Sequence, residues 1–253
     1  MVLTILSSRF HMRQLSLPFD SQESPSCRSR STPECVYCGS AATTKDHVPP
    51  KAFLEKPFPI NLRTVPACRS CNEGWSLDEE YMAVVLAQVG HQPHLMRKVE
   101  PGGVIDRALS ASPRLDEFIT NALQIAQDGR VWFQPDLGRI TKITTKLAFG
   151  LFCLRYGQGT FLRDFSTHWL GGPGEEIPQH LLAAHWMWPG IRRKRRTIVQ
   201  KGVFSFMFAR GWMADDAPLY CMMDFHETIF AAVSCPAPVG RKADKRLRSK
   251  PWK

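Results

Sequence analysis

The chain has 253 residues, 43% hydrophobic and 22% charged. That composition excludes a disordered polymer, and no apolar run is long enough to span a bilayer. Thirty-three Lys and Arg against 23 Asp and Glu leave a net charge of +10, which favours a polyanion over an acidic surface as partner, with nucleic acid first among polyanions and no membrane.

Residues 1–33 are Ser-rich without sustained periodicity, and "SQESPSCRSRSTP" reads as a flexible arm leading into the first cysteine pair. An organellar transit segment is the alternative for this stretch, which lacks the apolar core of a secretory signal. The expected location is the cytoplasm. From Glu34 to about residue 95 the chain reads as a small module: a short strand in "CVYCGSAATTKDHV", a turn in "VPPKAF", and a strand in "NLRTVPACRSCN". A helix follows, with Ser76 and Glu79 spaced as a capping box and Leu77, Tyr81, Val84, Val85 and Val89 on its apolar face.

Residues 96–239 read as a larger unit. "SPRLDEFITNALQIAQDG" predicts a helix with Ser112 as N-cap, Pro113 first, and Leu115, Phe118, Ile119 and Ala122 on one side. "VWFQP" reads as a short strand and "RITKITTKLAFGLFCLRYG" as a second helix despite its β-branched residues and Gly150. "LLAAHWMW", "TIVQKGVFSFMFA" and "LYCMMDFHETIFAAVSC" have strand-like length and composition, predicting an antiparallel sheet against those helices. The tail from Gly240, with seven basic residues and one acid, reads as disordered. The expected class is α+β.

Four of the eight cysteines form two Cys-x-x-Cys pairs, Cys35/Cys38 and Cys68/Cys71, separated by 29 residues. That spacing suits tetrahedral zinc with all four positions closed, which makes the ion structural. A pair of disulfides is the alternative, without secretory context to support it. Cys27, Cys153, Cys221 and Cys235 lack paired spacing and read as buried thiols.

Chemistry must then come from the polar groups between and beside the pairs. His47, with an ordinary pKa near about 6.5, can accept a proton at neutral pH. Asp46 and the side-chain oxygen of Asn72 are hard ligands suited to a divalent ion such as Mg2+ or Mn2+. Adjacent strand residues point to opposite faces, so an ion at Asp46 and a base at His47 would flank a phosphate. The bland readings are a histidine hydrogen-bonded within the fold and an asparagine acting as a helix N-cap or supporting the His47 loop.

Cys35-x-x-Cys38, Asp46-His47 and Cys68-x-x-Cys71-Asn72 together resemble the HNH, or ββα-metal, nucleases built on a zinc treble clef, of the phage recombination endonuclease VII type. Resemblance to stand-alone bacterial HNH proteins extends through "TTKDHVPPKAF", "VPACRSCN" and "DEEYM", over roughly residues 34–82. It implies structural zinc on Cys35, Cys38, Cys68 and Cys71, His47 as general base, and a catalytic Mg2+ or Mn2+ on Asp46 and Asn72. It further implies hydrolysis of DNA, more than RNA, to 5′-phosphate and 3′-hydroxyl ends, and a role in defence against foreign DNA. One such site cuts one strand, so a double-strand break would need a homodimer or two encounters.

No histidine follows Asn72 where many HNH members place a third motif residue; the next are His91 and His94. Asp78, Glu79 or Glu80 would be the substitutes, with Glu79 more economically explained as a helix cap. A non-catalytic, zinc-dependent nucleic-acid-binding module is the alternative function, and a protein-interaction scaffold a third. "IRRKRR" at 191–196 suits salt-dependent phosphate contacts. Trp186 and Trp188 read as sheet residues before base-stacking ones, the remaining histidines show no ligand spacing, and "GGPGEE" reads as a turn.

Overall fold

The computed structural model describes residues 33–89, 98, 100–125, 127, 131–157, 165–169, 196–210, 219–227 and 229–236. The arm before residue 33, Cys27, His91, His94, "GGPGEE", His180, "LLAAHWMW", "IRRKR" and the basic tail lie outside these residues.

The N-terminal part opens on strand β1 (Thr44–Val48), passes a 3-10 turn (Lys51–Phe53) and returns through β2 (Arg63–Ala67). The two strands pair antiparallel with Asp46 opposite Val65 and His47 opposite Thr64. Helix α1 (Arg69–Glu73) follows β2 directly, with Cys68 as N-cap. Helix α2 (Ser76–Val89) then buries Tyr81, Met82, Val84, Val85, Leu86 and Ala87. That burial is wider than one amphipathic stripe and fits a helix enclosed on several sides.

The predicted capping box does not form. Ser76 is already the first helical residue, and its hydroxyl donates to the Glu73 carbonyl at 2.8 Å. Glu79 turns inward instead, because a buried lysine competes for its carboxylate more strongly than an exposed backbone N–H does.

Helix α3 (Val104–Ala111), which the sequence reading missed, leads into α4 (Pro113–Asn121). Ser112 occupies the cap position of α4 and Pro113 its first turn, but the serine side chain makes no capping bond. The helix predicted through residue 129 stops at Asn121; Leu123–Ile125 forms strand β3, paired antiparallel with β4 (Val131–Phe133). Cross-strand hydrogen bonding outweighs helical propensity there: the Gln134 N–H donates to the Ala122 carbonyl at 2.7 Å, and the side chains of Gln124 and Gln134 bond at 2.7 Å.

Helix α5 (Leu137–Tyr156) is the beam on which the molecule is assembled. Asp136 caps it by accepting from the Arg139 N–H at 3.2 Å, and Gly157, at φ +92°, ends it in a conformation only glycine adopts readily. One side of α5 meets α2, β1 and β2, and the other meets β5 (Ser166–Trp169), β8 (Leu219–Phe225) and β9 (Ile229–Cys235). With β6 (Thr197–Gln200) and β7 (Phe204–Arg210) these strands form an antiparallel sheet of order β5-β9-β8-β7-β6. The α+β class and the antiparallel sheet against helices are thus observed, and β5 is a strand the sequence reading did not identify.

Among the described residues the larger of two hydrophobic clusters runs from Tyr37 and Val48 through α5 to Phe204 and Phe225, and the smaller holds Met207, Met222 and Ala232. Phe53 of the 3-10 turn meets Phe225 of β8 edge-on at 6.1 Å between ring centroids. Gln200 of β6 accepts from the Glu55 N–H at 2.9 Å and donates to the Glu55 carbonyl at 2.8 Å. Residues 34–89 therefore share this core with α5 and the sheet. Gly150 sets the approach of α5: a Cβ there would lie 2.9 Å from Val48 Cγ2 and 3.2 Å from Cγ1. Cys153, Cys221 and Cys235 are buried free thiols, as their isolated spacing predicted, and burial pushes Cys153 and Cys235 up to about 12. No helix among the described residues is long and apolar enough to cross a membrane.

Candidate metal centre and hydrolytic site

The first cysteine pair sits on a tight turn. The Gly39 N–H donates to the Cys35 carbonyl at 2.9 Å, the Cys35 N–H to the Ser40 carbonyl at 2.7 Å, and Gly39 takes φ +83° to close the loop. The Val36 N–H donates to the Pro66 carbonyl at 3.0 Å, tying this turn to the end of β2. The second pair begins where β2 becomes α1, and the Cys68 sulfur accepts from the Cys71 N–H at 3.4 Å as helix cap. Both pairs are thereby fixed by backbone bonds before any ion is considered.

The sulfurs of Cys35, Cys38, Cys68 and Cys71 all lie within 4.8 Å of one another, and Cys38 Sγ is 3.6 Å from Cys68 Sγ. A tetrahedron with Zn–S bonds near 2.3 Å has sulfurs about 3.8 Å apart, so the four residues fit zinc. The Ser70 hydroxyl, 3.2 Å away, and the Cys71 N–H hold the Cys68 thiol down to about 6, while burial and the neighbouring sulfurs push Cys71 up. Zinc binds cysteine as thiolate, so loading the cluster would release thiol protons.

Asp46 and His47 separate to the two faces of β1. Asp46 is buried, at 5% exposure, and His47 is half-buried with Lys45 exposed before it on the same face. The Asp46 Oδ2 atom accepts from the Tyr37 hydroxyl at 2.7 Å and from Lys146 Nζ at 2.8 Å. Lys146, on α5, also reaches Glu79 Oε1 at 2.5 Å, and its ammonium lies 4.9 Å from the centroid of Trp75 and 5.4 Å from that of Tyr37. The lysine side chain is 2% exposed. Burial raises the Glu79 carboxyl, with Lys146 opposing that shift, and burial together with the Asp46 charge raises the Tyr37 phenol far enough to keep it a proton donor.

This seating does not fit Asp46 as a ligand of a divalent ion. Its Oδ2 is already bonded to an ammonium and a phenol, with two aromatic rings beside the ammonium, so an ion could use that oxygen only by displacing Lys146. Asn72 lies half-buried within α1, and its N–H donates to the Cys68 carbonyl at 3.0 Å. It is therefore not a helix cap; Cys68 is. Asp78, another candidate for the ion, is held by Arg139 at 2.5 Å and Lys142 at 2.7 Å.

His47 remains open to chemistry. Burial, then the Lys51 charge, lowers its pKa, with Asp46 opposing, so the ring is neutral at pH 7. Its Nδ1 is buried without a hydrogen-bond partner.

Lys146 is the site residue that the sequence reading missed. Its signal was present: Ile143, Lys146 and Gly150 fall on one stripe of α5, and a lysine on a helix's apolar side needs a buried anion. No protein-family model, curated protein or solved structure matches the chain.

Proposed function

We propose that the chain is an HNH-type endonuclease that hydrolyses phosphodiester bonds of DNA on the outer face of the β1–β2 hairpin, with its four cysteines on structural zinc in a treble-clef module. The observation that carries the reading is the coincidence of a zinc-fitting cysteine cluster with a neutral, half-buried His47 on the first strand of a strand–strand–helix unit. In this reading His47 takes the proton of the attacking water. The water oxygen bonds phosphorus, the bond from phosphorus to the leaving oxygen breaks, and solvent protonates that oxygen. Lys45 and Lys51, exposed on either side of His47 in sequence, supply positive charge for the phosphate. While Lys146 is bonded to it, Asp46 anchors β1 from behind. The net charge of +10 suits the same polyanion, and the cytoplasm remains the proposed location.

The test is nicking of supercoiled plasmid by wild type and His47→Ala, with and without Mn2+. Cutting that falls by about a hundredfold or more in the variant supports the reading, and cutting unchanged in a folded variant overturns it.

One observation favours a second reading. Because Asp46 is bonded to Lys146, the module has the build of a zinc-dependent nucleic-acid-binding unit without turnover. Salt-sensitive DNA binding equal in wild type and His47→Ala, with no cutting by either, would select it.

A further inference from the structure

The Asp46–Lys146–Glu79 cluster is larger than anchoring a strand requires. A buried lysine needs one anion; this one has two, with two aromatic rings closing the other sides. The carboxylates come from β1 and α2, whereas the cation comes from α5, a hundred residues later in the chain than Asp46. Two segments of the N-terminal part thus build a cation cage, and the C-terminal part fills it.

We propose that Lys146 is the resident cation of the Asp46 site, so that a divalent ion binds at Asp46 only by displacing the ammonium, and the seating of α5 decides whether the site is open. The inference rests on the nuclease reading for what the site is for, but not for its occupancy. The cage selects an ammonium over a dication. Aromatic faces attract an ammonium, which is far less costly to dehydrate than a dication, and offer no ligand to Mg2+ or Mn2+, which need near-octahedral oxygen. A dication on Asp46 Oδ2 would meet the Lys146 ammonium 2.8 Å from that oxygen, and the two like charges would repel. Reach is set by Gly150, one turn beyond Lys146, whose missing side chain lets α5 lie against Val48 and so brings the ammonium to 2.8 Å from Asp46. A shift of α5 away from β1 withdraws the lysine and leaves Asp46, Glu79 and the Tyr37 hydroxyl facing one volume. α5 also packs on β5, β8 and β9, so its seating depends on the sheet as well as on β1.

The experiment is Mn2+ binding by electron paramagnetic resonance on the zinc-loaded full chain: wild type, Asp46→Asn, Lys146→Gln, and Lys146→Gln with Asp46→Asn. Lys146→Gln keeps an amide donor for the carboxylates and is preferred to an apolar replacement for that reason. The expected result is little Asp46-dependent binding in wild type, affinity at least about tenfold higher in Lys146→Gln, and loss of that gain in the double variant. A folded Lys146→Gln protein that gains no Mn2+ site overturns the proposal.

Should Lys146→Gln not fold, acetylation of Lys146 in wild type, read by mass spectrometry across a Mn2+ titration, decides the matter. Asp46-dependent Mn2+ binding that leaves Lys146 protected overturns the proposal; binding that exposes Lys146 supports it, as does absence of such binding with the lysine protected throughout. Plasmid nicking is followed in parallel. Mn2+ binding gained without any cutting would leave the cation exchange standing and remove the nuclease reading instead.

Discussion

Two polar clusters adjoin the β1–β2 hairpin, one at its Ala67 end and one at its centre, linked by Tyr37, and they are neutralised in opposite ways. The four-cysteine cluster fits an ion taken from solution, whereas the Asp46–Glu79 cluster receives its cation from α5 of the same chain. The first depends on metal supply and on proton release from thiols; the second depends on the position of a helix. The comparison teaches that one small module can be tied both to its environment and to its own C-terminal half.

The largest way to break the comparison is to remove zinc. A chelator, or Cys68→Ser, should unfold the hairpin and α1, since structural zinc contributes on the order of 10 kcal/mol or more in small modules; circular dichroism and zinc content would report it. Next, Lys146→Met should cost about 3–5 kcal/mol, because two carboxylates are left buried without a cation, and should lower the melting temperature by roughly 10 °C. Adding Asp46→Asn and Glu79→Gln to that variant should restore much of the loss, which no second substitution can do for the cysteine cluster.

Sequence alone made one of these clusters legible and hid the other. Cys-x-x-Cys spacing is local, so both turns and their convergence could be read before any fold was known, and β1, β2 and the long helix followed from alternation and periodicity. The ion-pair cluster joins residues from Tyr37 to Lys146, and its members only acquire meaning once α5 lies on β1. Glu79 shows the cost of reading locally: its spacing from Ser76 suggested a cap, while its carboxylate serves a lysine in another element. The end of α4 was misplaced for the same reason, since the partner of β3 lies beyond it in the chain.

Smaller effects sharpen the picture. Gly150→Ala should destabilise by about 1–2 kcal/mol: the new methyl meets the stiff, buried Val48, outweighing the ~1 kcal/mol gained in helix propensity. The smallest prediction concerns pH. His47 is held below its usual value, so the unfolded chain binds that proton first on acidification. Its contribution to stability is present above the usual histidine value and is lost as pH falls through the lowered one. Any activity using the neutral ring should show its acid limb below about pH 6.5, and Lys51→Ala should move that limb upward in a pH–rate profile.

The paired hydrogen bonds between Gln200 and Glu55 bear on the order of events at the ribosome. Their partners are 145 residues apart in the chain, which at about 5–20 residues per second separates their synthesis by about 7–30 s. The last of the four clustered cysteines, Cys71, is made 16 residues after Glu55, so an ion that binds them has most of that interval to do so before β6 arrives to clasp the turn.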